Sequence, residues 1–327
     1  MREAVPGSCP DPNTEVREGG EAPVLQEGRI LKGVGGLYSV YCDGVIYECT
    51  LRGNIRLGGI TPVTGDAVVL GEADVRTKKA VVNSVLPRKT VLTRPKAANV
   101  DKLILVIASL SPAPDLMLVD KLLIAARIAG IEPVLVINKS DQDREAAGNI
   151  AAQYKNAVRV RITRALDSCD SALEALIPET EGFTSVLAGQ SGVGKSTILN
   201  MLTDGAYMAT GNISEKTLRG RHTTRHAELF PVSSKYVTRP SFVIDSPGFS
   251  LLELAEIKPG DLPECYPEVY NHRGECRFQD CSHTGEPDCF VTGLLEDGTF
   301  SRERYERYVK LYRELENREK NKYKNRR

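Results

Sequence analysis

A small β-barrel, then an open parallel α/β domain, then a Cys/His-rich segment with helices: this multidomain architecture is what the sequence predicts. Three observations predict it. Short alternating strands fill residues 26–90, buried strand-like runs alternate with amphipathic helices over 91–255, and from 256 to 327 that rhythm gives way to Pro, Gly, Cys and His followed by a charged helix. A length of 327 residues suits two or three domains. With 41% hydrophobic and 26% charged residues, a disordered or fibrous chain is excluded.

Residues 1–25 are rich in Pro, Gly and Glu, carry a net charge of −3 and show no apolar period, so a disordered N-terminal tail is expected. GRILKGVGGLYSVYCDGVIYECTLRG then alternates apolar and polar residues around Gly-Gly and Asp-Gly turns, and TPVTGDAVVLGEAD and KKAVVNSVLP continue the pattern. Five short strands in so little chain predict an OB-fold-like barrel, with an SH3-like barrel also allowed by composition. From 103 the apolar strand LILVIAS leads into DLMLVDKLLIAARIAG, which has helical spacing. PVLVINKSD, AVRVRI, TSVLAG and SFVIDSPG are further buried strands, and helices occupy the stretches between them. Residues 205–226 have no period and read as a long loop. The last segment, 301–327, carries eleven basic and five acidic residues and a Tyr305/Tyr308/Tyr312 stripe on a helix.

Lys and Arg number 43 and so do Asp and Glu, so any nucleic-acid affinity must come from local patches such as the +6 terminal helix. No run approaches the ~18 apolar residues of a membrane span, and the N-terminus lacks the apolar core of a secretory signal. A cytoplasmic location and no membrane partner are expected.

Three motifs carry the chemistry. Gly189, Gln190, Ser191, Gly192, Val193, Gly194, Lys195 and Ser196 fit G-x-x-x-x-G-K-[ST], with Thr197 next, between a strand and a helix. Such a loop wraps its N–H groups and the helix terminus around phosphates, Lys195 reaching the β- and γ-phosphates and Ser196 ligating Mg²⁺. Asn138, Lys139, Ser140 and Asp141 form N-K-x-D after PVLVI. The Asp141 carboxylate can accept N1–H and N2–H of guanine, a donor pair that adenine lacks; Asn138 would brace loops and Lys139 lie along the base. Asp245, Ser246, Pro247 and Gly248 form D-x-x-G, in which Asp245 would hold Mg²⁺ through water and the Gly248 N–H would sense the γ-phosphate. Thr223 or Thr224 would add a second Mg²⁺-binding hydroxyl, and sequence does not choose between them.

Together these are the parts of a Ras-like GTPase in altered order, since N-K-x-D precedes the phosphate loop. A circular permutation that starts at the strand near 102 explains the order and preserves the sheet. The usual fifth motif is degenerate, Thr163-Arg164-Ala165. The position after D-x-x-G that orients water in Ras-like enzymes is Phe249, so another polar group must serve, and His222 is the nearest. Hydrolysis by the isolated chain is expected to be slow.

Cys276, Cys281, His283 and Cys289 supply three thiolates and an imidazole within 14 residues, a closed set for one structural Zn²⁺. Cys265 and His272 are competing ligands. Cys9, Cys42, Cys49 and Cys169 read as ordinary thiols.

The barrel, the permuted motif order and the C-x4-C-x-H-x5-C element, together with NKSD, GQSGVGKST, RGRHTTR and DSPG, closely resemble the ribosome small-subunit-dependent GTPase A family over about 26–295. The resemblance implies a late assembly factor that binds the small (30S) ribosomal subunit near its decoding region, contacts rRNA, hydrolyses GTP to GDP and phosphate faster on the subunit, and then leaves. It also implies catalysis by His222 with Lys195. The acidic N-terminal tail and the weak fifth motif depart from the family pattern. A monomer is expected. The competing readings are a nucleotide-gated RNA-binding module with incidental hydrolysis and a P-loop kinase or ATPase, the second disfavoured by NKSD.

Overall fold

The structure, a computed structural model, describes residues 26–53, 55, 60–93, 95–164, 170–206, 227–245 and 257–324. The 1–25 tail and the core of the expected loop, 207–226, lie outside these.

Strands β1 (Gln26–Val34), β2 (Leu37–Cys42), β3 (Val45–Leu51), β4 (Ala67–Asp74) and β5 (Lys79–Val85) close into a barrel in the order β1-β2-β3-β5-β4. Every pairing is antiparallel except β3 with β5. The alternation read from sequence puts Ile30, Val40, Tyr47, Val68, Leu70 and Val82 inside. A short hairpin, β6 (Val91–Thr93) with β7 (Lys96–Ala98), follows.

The α/β domain is a six-stranded sheet. In chain order it contributes β8 (Lys102–Ala108), β9 (Glu132–Asn138), β10 (Arg159–Ile162), β11 (Thr184–Ala188), β12 (Glu228–Pro231) and β13 (Phe242–Asp245). The spatial order is β10-β9-β8-β11-β13-β12, all parallel except β12. β8 and β11 are buried along their whole length because helices cover both faces. Leu103, Leu105 and Ile107 face α1 (Leu116–Ile128) and α2 (Arg144–Tyr154). Ile104, Val106 and Ala108 face α3 (Asp170–Thr180) and α4 (Lys195–Leu202). The strand sequence steps one way from β8 to β10 and the other way from β11 to β12. The reversal between β8 and β11 leaves a crevice at the strands' carboxyl ends, where open α/β sheets bind ligands.

The C-terminal segment has a 3₁₀ turn (Pro259–Cys265), α5 (Pro267–Tyr270), α6 (Val291–Glu296) and the long α7 (Arg302–Lys324). Tyr308 of the expected stripe is fully buried and meets Tyr266 edge-on at 4.9 Å, while Tyr305 and Tyr312 pack partly beside it. This core borrows Ile124 and Met117 from α1.

The barrel leans on the sheet edge. Lys32 of β1 pairs with Glu228 of β12 at 2.7 Å, and Thr64 Oγ1 donates to the Ala227 carbonyl at 2.9 Å. Tyr41 meets Phe242 edge-on at 5.3 Å.

At the opposite edge of the sheet, the fully buried Glu179 carboxylate takes Lys102 (3.3 Å), Arg159 (3.2 Å) and Arg161 (2.6 Å). Burial alone would raise its pKa, but the hydrogen bonds and charge of Lys102 and the two arginines outweigh it and hold it below the usual value. Its stabilising contribution is therefore present above the unfolded carboxyl pKa of about 4.3 and is lost as pH falls through the lower folded value. Glu179→Gln leaves buried Lys102 with only the exposed Glu132 carboxylate, 3.9 Å away, and should cost about 3–5 kcal/mol in urea unfolding at neutral pH. The acid-side loss of stability should be smaller in the variant than in the wild type.

Candidate nucleotide site and metal centre

The crevice brings two of the predicted motifs together across more than fifty residues of chain. Asn138, at the end of β9, is buried and donates through Nδ2 to the Val193 carbonyl inside the phosphate loop at 2.9 Å. Its Oδ1 accepts from Thr163 Oγ1 at 3.1 Å. The Ser140 N–H reaches the Thr163 carbonyl at 3.2 Å. Thr163, first residue of the degenerate motif, thus buttresses the N-K-x-D turn.

Two glycines make this approach possible. Gly194 has φ +101°, and a Cβ there would sit 2.4 Å from Asn138 Nδ2. Gly189 has φ +134°, and a Cβ would lie 1.9 Å from the Val106 carbonyl. Any side chain at either position would force the loop off the neighbouring strands.

A cavity of about 380 Å³ opens here, lined by Asn138, Lys139, Ser191, Gly192, Gly194, Lys195, Ser196 and Thr197. Lys195 begins α4, and its Nζ donates to the Gly189 and Gln190 carbonyls at 2.8 and 2.5 Å. Burial lowers its pKa and Asp245, at the end of β13, pulls it back up. Ser140 and Asp141 lie on the turn beyond Lys139, with Asp141 exposed. The Lys139 loop is held from β8: Ser109 Oγ donates to the Lys139 carbonyl at 2.7 Å, and Lys139 Nζ donates to the Ser111 carbonyl at 3.0 Å. Gln142 Oε1 accepts from the Ser111 N–H at 3.0 Å. Gln190 Oε1 accepts from the Asp115 N–H at 3.2 Å. Sequence reasoning passed over Ser109, Ser111 and Gln142. Their signal was polar residues just past the carboxyl ends of buried strands beside the switch point. His222, Thr223, Thr224 and Gly248 lie outside the described residues.

All four predicted metal ligands come together, their ligand atoms within 4.8 Å of one another. His283 Nδ1 is 3.4 Å from Cys276 Sγ and 3.5 Å from Cys289 Sγ, and the two sulfurs are 3.9 Å apart. A tetrahedron with Zn–S of ~2.3 Å and Zn–N of ~2.0–2.1 Å has edges of roughly 3.6 Å (S–N) and 3.8 Å (S–S), so Cys276, His283 and Cys289 match three edges of such a site, with Cys281 Sγ within 4.8 Å of each. Burial raises the Cys281 and Cys289 thiols and lowers His283. Thiolates crowded like this need a cation beside them. Glu286 organises the loop by accepting from the Ser282 and Thr284 N–H groups at 2.9 and 2.7 Å. Burial would raise its carboxyl, yet the Ser282 hydroxyl and the backbone N–H groups of the loop hold it at about 2. Tyr308 of α7 donates to the Ser282 carbonyl at 2.7 Å. The competing ligands are engaged elsewhere. Cys265 Sγ sits against the Asp261 carbonyl at 3.7 Å, and His272 bonds Glu275 and stacks on Phe290.

The sequence matches the family model of the RsgA N-terminal domain over residues 27–79 and that of the RsgA GTPase over 85–255. It is 40% identical to a small ribosomal subunit biogenesis GTPase RsgA of Ruminiclostridium cellulolyticum, with 89% of this chain and 94% of that one covered. It is 39% identical to the protein of the same name from Carboxydothermus hydrogenoformans, over 88% and 97%. Among solved structures it resembles YjeQ from Thermotoga maritima (TM-score 0.71, 31% identity, 89% and 99% covered). It likewise resembles YloQ, described as a circularly permuted GTPase (TM-score 0.71, 29% identity, 90% and 96% covered). A closed five-stranded barrel, a permuted P-loop sheet and a Cys₃His cluster, matched by two family models and by relatives along nearly their whole length, make this chain a GTP-hydrolysing member of the RsgA GTPase family.

Proposed function

We propose that this GTPase acts in the assembly of the small ribosomal subunit in the cytoplasm, binding the subunit and its rRNA as a monomer and hydrolysing GTP faster when bound. The observation that carries the nucleotide reading is the Asn138 amide, which ties the N-K-x-D turn to the phosphate loop at the mouth of one cavity. Guanine recognition falls to Asp141, with Lys139 along the base and Ser140 bracing the turn. The N–H groups from Gly189 to Gly194, including those of Gln190, Ser191, Gly192 and Val193, cradle the β-phosphate, and Lys195 carries positive charge to the transferring phosphoryl. Ser196 and one of Thr223 or Thr224 hold Mg²⁺, Asp245 holds it through water, Thr197 closes the loop and Gly248 meets the γ-phosphate. The domains are divided near 26, 91 and 256.

Water attack needs a group that Phe249 does not provide, and His222 fills that role when the chain is bound to the subunit. The Cys₃His set holds one Zn²⁺, which has no open position and supplies folding energy to the C-terminal segment rather than chemistry.

Asp141→Asn reverses one hydrogen bond to the base, so nucleotide competition should show a shift of preference from GTP toward XTP. Wild-type protein that binds ATP as tightly as GTP would refute the reading. Elemental analysis should give one zinc per chain, lost in Cys281→Ser while the GTPase core stays folded by circular dichroism. In turnover assays with and without 30S particles, His222→Ala should lose the stimulated rate and keep both nucleotide affinity and subunit binding. Full stimulated turnover in that variant would remove His222 from the reaction.

A further inference from the structure

Helix α1 is gripped by two different parts of the molecule. At its start the Asp115 N–H donates to Gln190 of the phosphate loop at 3.2 Å, and the Tyr154 hydroxyl donates to the Leu116 carbonyl at 3.1 Å. Farther along, Asp120 is fully buried on the face turned to the C-terminal segment. It takes Arg304 Nη1 at 2.9 Å and Arg307 Nε at 2.6 Å, both from α7. Arg307 then reaches back through Nη2 to the Tyr154 hydroxyl at 3.3 Å and to Gln153 at 3.1 Å. A continuous hydrogen-bonded route therefore runs from the phosphate loop, through the first turn of α1 and Tyr154, to α7.

The arrangement exceeds what docking α7 requires. Apolar residues of similar volume usually stabilise a buried interface as well as an ion pair does, and what such a pair adds is one register. Arg304 is fixed in that register between the Tyr154 and Tyr266 rings, 4.9 and 4.7 Å from their centroids. Arg307 is then left to fork between Asp120 and the hydroxyl that holds the start of α1.

We propose that α7 positions the phosphate loop through α1, with Tyr154 and Arg307 as the positioning residues. The proposal rests on the reading of that loop as the GTP site. Neither residue touches the nucleotide cavity. Their effect is on affinity: with the C-terminal segment docked, the first turn of α1 and the loop bonded to it are held in place before nucleotide arrives. Linkage makes the effect reciprocal, so nucleotide binding must tighten α7 by the same factor.

Tyr154→Phe keeps the ring between its neighbours and removes only the hydroxyl. In the full-length protein it should weaken GDP binding, read by calorimetry, about fivefold, the equivalent of one buried hydrogen bond. It should raise the KM for GTP to match and leave kcat unchanged. Arg307→Met should do the same and Arg307→Lys should restore part of the loss. In the wild type, saturating GDP should slow amide exchange along α7, and in Tyr154→Phe that slowing should shrink. A Tyr154→Phe protein that melts lower yet binds GDP as the wild type does has lost only a structural bond, and this overturns the proposal. So does wild-type α7 whose exchange ignores GDP. A wild type that fails to bind guanine nucleotides instead brings down the reading of the site itself.

Discussion

One side-chain amide holds the nucleotide end of this protein together. Asn138 uses both of its functional ends, donating into the phosphate loop and accepting from Thr163, so three loops from three strands share one anchor. The contact is between β9 and the loop after β11, with β8 lying between them in the sheet. It requires Gly194 to have no side chain and to adopt a left-handed backbone. Because it acts through space, it is indifferent to the order in which the strands are synthesised. That is why a permuted chain can assemble the same crevice: the anchor needs the spatial order of the strands, which the sheet preserves, and needs nothing of connectivity.

The two flanking units are attached by different physics. The barrel meets the sheet edge through an exposed ion pair, a hydrogen bond and an aromatic edge contact. The ion pair, with both side chains at least one-third exposed, contributes at most about 1 kcal/mol, so Tyr41 against Phe242 and Thr64 against the Ala227 carbonyl fix the orientation. The C-terminal segment instead takes Ile124 and Met117 of α1 into its own core and clasps Asp120 with two arginines. Arg304 Nε also lies 2.9 Å from Glu268, a charge contact whose geometry is not that of a hydrogen bond. The barrel also places Leu31 of β1 in the sheet's own core cluster. The C-terminal segment cannot move without exposing buried charge.

Much of this was legible in the sequence. Period two marked the barrel, buried runs marked the parallel strands, and spacing marked the Cys₃His cluster and the Gly-rich turn that opens α4. β12 was missed because its four residues include Pro231, which survives only because the strand lies at an edge. The β6–β7 hairpin and helices α5 and α6 are too short to show a period. The tyrosine stripe of α7 was visible, but the sequence did not say that Tyr308 goes fully inside while its neighbours stay partly exposed. Gln190 fits a motif position that tolerates any residue, so nothing in the pattern pointed its side chain at α1. In DLMLVDKLLIAARIAG apolar residues surround the central Asp120-Lys121 pair over most of the helix circumference, a pattern expected of a helix with partners on two faces.

That same Asp sets a timetable for biosynthesis. Asp120 leaves the translating ribosome 184 residues ahead of Arg304. At about 5–20 residues per second the interval is on the order of ten to forty seconds. The α/β sheet can fold once β13, which ends at Asp245, has emerged, still ahead of α7. The outer face of α1, with Met117 and Ile124 beside an unpaired carboxylate, must meanwhile stand in water. The nascent chain thus carries an adhesive, negatively charged patch until its last helix arrives. The carboxylate that α7 later clasps with Arg304 and Arg307 is until then a polar element on that otherwise apolar face.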